Sequence, residues 1–114
     1  MTLEQFLVKL QQEPTNVQFE DTMAVIDANF EFEPTAFING NTKNEANQNN
    51  GSCKIFAFGL EQSLNAEQTL ACFGRFYRED VLQNPENDDH QNIRNFMVTG
   101  WEGIKFDASA LKKK

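Results

Sequence analysis

The chain has 114 residues and carries 10 Lys and Arg against 17 Asp and Glu, which gives a formal net charge of −7. That length allows one ordinary domain with its own core. Eleven Phe against one Tyr and one Trp indicate a core rich in phenyl rings. Asn and Gln are abundant, at 13 and 9 residues. The composition is that of an acidic, amide-rich globular protein and argues against a disordered chain.

Several classes of protein are excluded by these patterns. The longest apolar run, residues 55–60, is far shorter than the roughly 20 residues that span a bilayer. The N-terminal segment lacks the basic region of a Sec signal peptide, and a pI near 4.6 argues against binding to a phosphate backbone. We therefore expect a soluble, cytoplasmic, monomeric protein without nucleic-acid or membrane partners. Cys53 and Cys72 are too few for a disulfide scaffold, and we expect both thiols to be free.

The N-terminal third of the chain predicts two helices followed by a strand pair. Thr2 and Gln5 form a capping box before apolar residues at helical spacing. A second helix is predicted from residue 19 or 20 to 29. Alternating Phe and Glu predict a strand over 30–33, and residues 36–38 are expected to return beside it before a turn.

Residues 39–51 contain six Asn and no large apolar residue, so they predict a long polar loop. Ser52 is the expected N-cap of a buried helix over residues 53–63. Asn65 and Gln68 cap the next helix, which we expect to form an antiparallel hairpin with the first. We expect that second helix to continue through Gly74.

The C-terminal part predicts one more helix and one more strand. Asp88 and Gln91 resemble a capping box for a helix that ends near Thr99, and Gly100 stops it. A last strand is expected over 103–106. The predicted fold is one α+β domain over residues 1–111, with about five helices, a central helical hairpin and a small sheet of about three strands. Residues 112–114 are expected to form a frayed basic tail.

Segments spread over almost the whole chain carry a family resemblance: residues 21–26, 39–40, 44–46, 48–54, 69–74, 77–82, 89–96 and 99–104. Together they resemble the signature of the HopJ family of type III effectors. One departure is Asn47, where the family pattern has Gly, and the turn at this position is therefore in question.

The resemblance implies a family named after a plant-pathogen effector, with relatives in bacteria that have no such lifestyle. For secreted relatives it implies the type III secretion machinery or a chaperone as partners, and secretion only where the organism has that machinery. It implies no particular reaction and no catalytic residue. The leading interpretation is an interaction or binding module with a protein or small-molecule partner.

One chemical hypothesis from a different class concerns Cys53. This residue is predicted in the first turn of a helix, where free N–H groups and the helix dipole lower a thiol pKa. His90 is the only histidine, and Asp89 or an Asn of the loop could orient its ring. The alternative function is therefore a thiol-dependent hydrolase or transferase with Cys53, His90 and Asp89 as catalytic residues. The competing interpretation is that Cys53 is a small buried hydrophobe and His90 a surface or capping residue.

A second set of candidates would bind a ligand. Three arginines could together hold an anion, although pairing with Glu79, Asp80 or Glu102 is the competing interpretation. Loop amides offer donors and acceptors to a ligand, although they can also satisfy their own turns. The candidate ligand-binding residues are Asn39, Asn44, Asn49, Asn50, Arg75, Arg78, Arg94 and Trp101. The spacing of His, Cys and carboxylates predicts no metal site, and we expect no cofactor.

Overall fold

The computed structural model describes residues 1–114 and confirms the α+β class. The α-helices are α1 (Leu3–Gln12), α2 (Phe19–Asn29), α3 (Asn50–Gln62), α4 (Ala66–Ala71) and α5 (Gln91–Thr99). The strands are β1 (Phe30–Phe32), β2 (Phe37–Asn39), β3 (Thr42–Asn44), β4 (Ile104–Phe106) and β5 (Leu111–Lys113). Short 3-10 turns cover Pro14–Asn16 and Gly100–Gly103, and a π-helical segment covers Phe76–Val81. None of the helices has the length and apolar character needed to span a bilayer.

The strands form two antiparallel sheets instead of the single sheet predicted. One sheet has the order β3-β2-β4, and β1 pairs with β5 in the other. The expected pairing of 30–33 with 36–38 is therefore wrong. The polar loop prediction is also wrong in part, because Gly40-Asn41 closes a tight hairpin and residues 42–44 return as β3.

The C-terminal tail is ordered as a strand, so the predicted fraying is a further correction. Leu111 lies opposite Phe32 and Lys113 opposite Phe30. Leu111 is buried in the same core cluster as Phe30, and the Lys114 N–H donates to the carbonyl of Asn29. Apolar burial and backbone pairing outweigh the mutual repulsion of the terminal lysines, and the Lys114 ammonium also donates to the carbonyl of Asp27.

The buried helix α3 forms the centre of the core, as its all-round apolar pattern predicts. Phe56 contacts the rings of Phe37, Phe73 and Phe96 at centroid separations of 5.0–5.8 Å. The helix begins earlier than predicted, at Asn50. Its N-cap is Asn49 and not Ser52, and Asn49 takes a left-handed backbone conformation with φ 52°.

The helix after Asn65 is shorter than predicted. Its capping box with Gln68 is present, but α4 ends after six residues. Gly74 is not a mid-helix residue, since it has φ +60°, and a Cβ there would lie 2.6 Å from the backbone nitrogen of Phe19. The chain leaves the helix at Gly74 because this close approach of two backbones requires it.

Helix α5 begins at Gln91 with His90 as its N-cap, so the predicted capping box at Asp88 is wrong. The Gln91 side chain donates to the carbonyl oxygen of Asp88 and not to a cap N–H. Gly100 ends α5 as predicted, with φ +58°.

Candidate functional site

A cleft of about 360 Å³ lies between the first turns of α3 and α5, at the end of the β2-β3 hairpin. Its size falls at the lower end of the range typical of small-molecule sites. The lining is mixed aromatic and polar: Phe19, Thr42, Asn44, Asn49, Gly51, Ser52, Phe73, Phe76, His90, Gln91, Asn92 and Ile93. Polar groups that converge between aromatic side chains are the usual features of a ligand site.

A cluster of asparagine amides forms the buried wall of this cleft. Asn44 and Asn92 exchange two amide hydrogen bonds, with N–O distances of 3.2 and 3.0 Å. Asn49 donates to Asn44 Oδ1 at 2.7 Å. Asn39 donates to both the backbone carbonyl and Oδ1 of Asn92, at 2.8 and 3.0 Å. The cluster joins β2, β3, the following loop and α5 through side-chain bonds.

The same cluster decides which predicted amides are accessible. Asn39 is fully buried, and its Oδ1 has no hydrogen-bond partner. Asn44 and Asn49 line the cleft, but their amide groups already bond each other. Asn50 Oδ1 is buried without a partner. Three of the four candidate loop amides therefore bond to one another or to Asn92, and a ligand-binding role for them stays a prediction.

The first turns of α3 and α5 both present unpaired backbone N–H groups to the cleft. The first helical bonds are donated by Cys53 to Asn49 and by Arg94 to His90. The three N–H groups that precede each of these donors have no acceptor inside the helix. Neither N-cap side chain bonds the helix, and both N-cap residues have left-handed backbones. Two positive helix ends therefore meet at one cavity.

His90 lies at the edge of the cleft and is held by a carboxylate. Its Nε2 is 3.1 Å from Asp80 Oδ2 and 4.0 Å from Asp89 Oδ2. Its ring lies 5.4 Å from the ring of Phe76. Asp89 bonds chiefly to Arg94, whose guanidinium donates to it at 2.7 Å and lowers the pKa of that carboxyl. The partner of His90 is thus Asp80, which the sequence did not indicate.

Cys53 has the properties of a buried core residue. Its residual exposure is 1%, and its thiol donates to the backbone oxygen of Thr35 at 3.5 Å. Burial raises the pKa of Cys53, so the expectation of a lowered pKa is wrong. Cys53 is absent from the cleft lining, and so is its hydrogen-bond partner Thr35.

Both thiols are free, which confirms the prediction from sequence, and both are buried. We expect each to react with iodoacetamide at pH 8 at least tenfold more slowly in the folded protein than in urea. Desolvation raises the pKa of Cys72 to about 12, so very little thiolate is present. Mass spectrometry of timed samples would measure both rates, with the urea-unfolded chain as the control. Fast labelling of folded Cys53 at pH 6 would restore the thiolate hypothesis.

The three arginines do not converge on a ligand site. Arg75 bonds both carboxylate oxygens of Glu20, at 3.2 and 3.0 Å. Arg78 donates to the carbonyls of Pro14 and Val17, and Arg94 bonds Asp89 and the carbonyl of Pro85. These acceptors are not Glu79, Asp80 or Glu102, the partners considered from the sequence. Most of them lie far from the arginines along the chain, so spacing could not indicate them. None of the three arginines lines the cleft, and the anion site built on their guanidinium groups stays a prediction.

Trp101 is a packing residue at a helix crossing. Its Nε1 donates to the carbonyl of Leu64 at 2.9 Å. A Cβ at Gly59 would lie 2.7 Å from the indole ring, which explains a glycine inside α3.

Several residues of the cleft were missed from sequence. Asn92 lies one turn before Phe96 on the buried side of α5, and a polar residue in an apolar stripe is a detectable signal. Phe19 and Phe76 carry no such signal, because a phenylalanine at helical spacing predicts only core packing. No group of three or more His, Cys, Asp and Glu side chains lies close enough to hold a metal ion.

Fold and cleft together define a small α+β domain with one mixed aromatic and polar cavity at two helix N-termini. The chain belongs to the HopJ type III effector protein family, whose sequence profile matches residues 3–111. It is also similar to a crystal structure of VPA0580, described as a protein of unknown function. The TM-score is 0.99 and the identity 68%, over 100% of this chain and 95% of that one. Comparison with curated proteins finds no match.

Proposed function

We propose that the protein is a binding module whose cleft holds a small ligand with an acidic head group, a carboxylate or a phosphate. The observation that carries this proposal is the meeting of two uncapped helix N-termini in one cavity. Free N–H groups and the helix dipoles favour a negative charge at such a position. The hydroxyl of Ser52 and the amide of Gln91 add donors along the same lining.

The surrounding charges are compatible with an acidic ligand despite the net charge of −7. The nearest carboxylates, Asp80 and Asp89, are held by His90 and Arg94. Neither carboxylate belongs to the lining. His90 does belong to it, with its Nε2 hydrogen-bonded to Asp80 Oδ2.

The thiol-dependent reaction receives no support from this site. The nucleophile of that reaction would be Cys53, whose thiol is buried and has a raised pKa. We propose cytoplasmic action for the chain, with delivery by a type III apparatus only in organisms that have one. Secretion components or a chaperone would then be partners of secreted relatives.

Titration with sodium benzoate and with inorganic phosphate, followed by 15N–1H NMR, tests the proposal. We expect the largest shifts at the amides of Gly51, Ser52 and Asn92. Gln91→Glu places a carboxylate in the first turn of α5 and should weaken benzoate binding about fivefold, the equivalent of about 1 kcal/mol.

The matched control is Gln68→Glu. It makes the same amide-to-acid change in the first turn of α4, outside the cleft, and glutamate can replace glutamine in that capping box. This variant should bind benzoate as the natural chain does. Shifts scattered away from the two helix starts, or equal weakening by both substitutions, would contradict the proposal.

A further inference from the structure

The cleft has an aromatic wall beside its N–H donors. Phe19 and Phe76 line the cleft and are only partly buried, whereas rings such as Phe56 and Phe58 are fully enclosed in the core. The two rings meet edge to face at 5.0 Å, and Phe76 continues the contact to His90 at 5.4 Å. Three ring systems therefore stand in a row along one side of the cavity.

Two glycines bring this wall close to the first turn of α3. A Cβ at Gly51 would lie 3.1 Å from Cζ of Phe19, so the ring packs directly against the helix backbone. A Cβ at Gly74 would collide with the backbone nitrogen of Phe19, so the start of α2 is held at the same place. The Phe19 ring and the free N–H groups of α3 consequently face a single space.

The Arg75 guanidinium covers one face of the Phe76 ring. The Arg75 guanidinium carbon lies 4.8 Å from the ring centroid, while Arg75 also pairs with Glu20. The outer side of the wall is thereby fixed by protein groups. Partial exposure of phenyl surface toward a polar cavity costs free energy unless an apolar group covers it.

We infer that the ligand is a small aromatic acid, whose planar ring packs against Phe19 and Phe76 while its acidic group meets the helix starts. This inference rests on the proposed function and specifies the class of ligand. Aromatic pairs gain stabilisation beyond the area they bury. A cavity of about 360 Å³ accommodates a single or fused ring system better than a dinucleotide.

Two probes that share a carboxylate separate the inference from the proposed function. Benzoate is planar, and cyclohexanecarboxylate has the same head group on a puckered aliphatic ring. Calorimetric or NMR titration of the natural chain should show benzoate binding at least fivefold more tightly. Equal affinity for the two acids would overturn the inference and leave the proposed function standing. Failure of both acids to bind would overturn the inference, and failure of inorganic phosphate as well would overturn the proposed function.

Variants then test which side chains contact the aromatic ring of the ligand. Phe76→Leu should bring the affinity ratio of the two acids close to one. Phe19→Leu should act in the same direction, and it keeps the test valid if Phe76→Leu fails to fold. The matched control is Phe106→Leu, which alters a partly buried ring stacked on Phe37 outside the cleft. The affinity ratio of the two acids in Phe106→Leu should equal that in the natural chain. A benzoate preference that survives both cleft substitutions would overturn the inference.

Discussion

Replacement of Gly74 by alanine is expected to lower the free energy of unfolding by about 3 kcal/mol, the sum of left-handed backbone strain and overpacking. The backbone of Gly74 has φ +60°, and the added Cβ would lie 2.6 Å from the nitrogen of Phe19. A backbone atom cannot rotate away as the end of a side chain can, so α2 itself must shift. Urea unfolding, followed by Trp101 fluorescence and by circular dichroism, measures the change.

The control for this substitution is Gly40→Ala. Gly40 has a similar φ of +64°, but the nearest atom to an added Cβ is the Thr99 hydroxyl at 3.4 Å, an ordinary contact. Only the left-handed strain should remain, at a cost of about 1 kcal/mol. Equal losses in the two variants would show that the approach of Phe19 to Gly74 contributes nothing, and would weaken the account of how the aromatic wall is placed.

Features of the fold that depend on neighbouring residues could be predicted from sequence. The capping boxes of Thr2 with Gln5 and of Asn65 with Gln68 are both present, because each needs only a four-residue pattern. Pairing of β1 with β5 could not be predicted in this way. Those strands lie about 80 residues apart in the sequence, and a run of lysines does not indicate which strand it joins.

The candidate site shows the same division between local and distant effects. Asn44 and Asn49 of the Asn-rich segment line the cavity, and their binding of a ligand stays a prediction. The acceptors of Arg94 could not be predicted, because a long side chain can reach several carbonyls and spacing does not indicate which one. Thiol activation at Cys53 was wrong because a helix start lowers a pKa only where the thiolate remains solvated, and this thiol is buried.

Asn47 shows how the family pattern and the backbone agree. The family resemblance has glycine at this position, and Asn47 has φ 72°. Asparagine tolerates the left-handed region better than other residues with a Cβ. The turn that leads from β3 into α3 is therefore retained, and with it the approach of Asn49 to Asn44. The substitution changes the residue without changing the conformation that the cleft requires.

The asparagine cluster should be as important to stability as the glycine at the aromatic wall. Asn92→Leu is expected to lower the free energy of unfolding by about 3 kcal/mol, because buried amide groups lose their partners. The Asn44 amide nitrogen loses its acceptor, and the Asn39 amide keeps only the backbone oxygen of residue 92. Leucine has a similar size, so the loss reports hydrogen bonding more than packing. Urea unfolding with two spectroscopic probes measures it.

Asn95→Leu is the comparison variant, one turn further along α5. Asn95 donates to the carbonyl of Asn39 and to the hydroxyl of Thr42, but it is only partly buried. Water can reach such a site, so we expect a loss of about 1 kcal/mol. If Asn92→Leu proves no more costly than Asn95→Leu, the buried amide exchange does not hold the hairpin to α5.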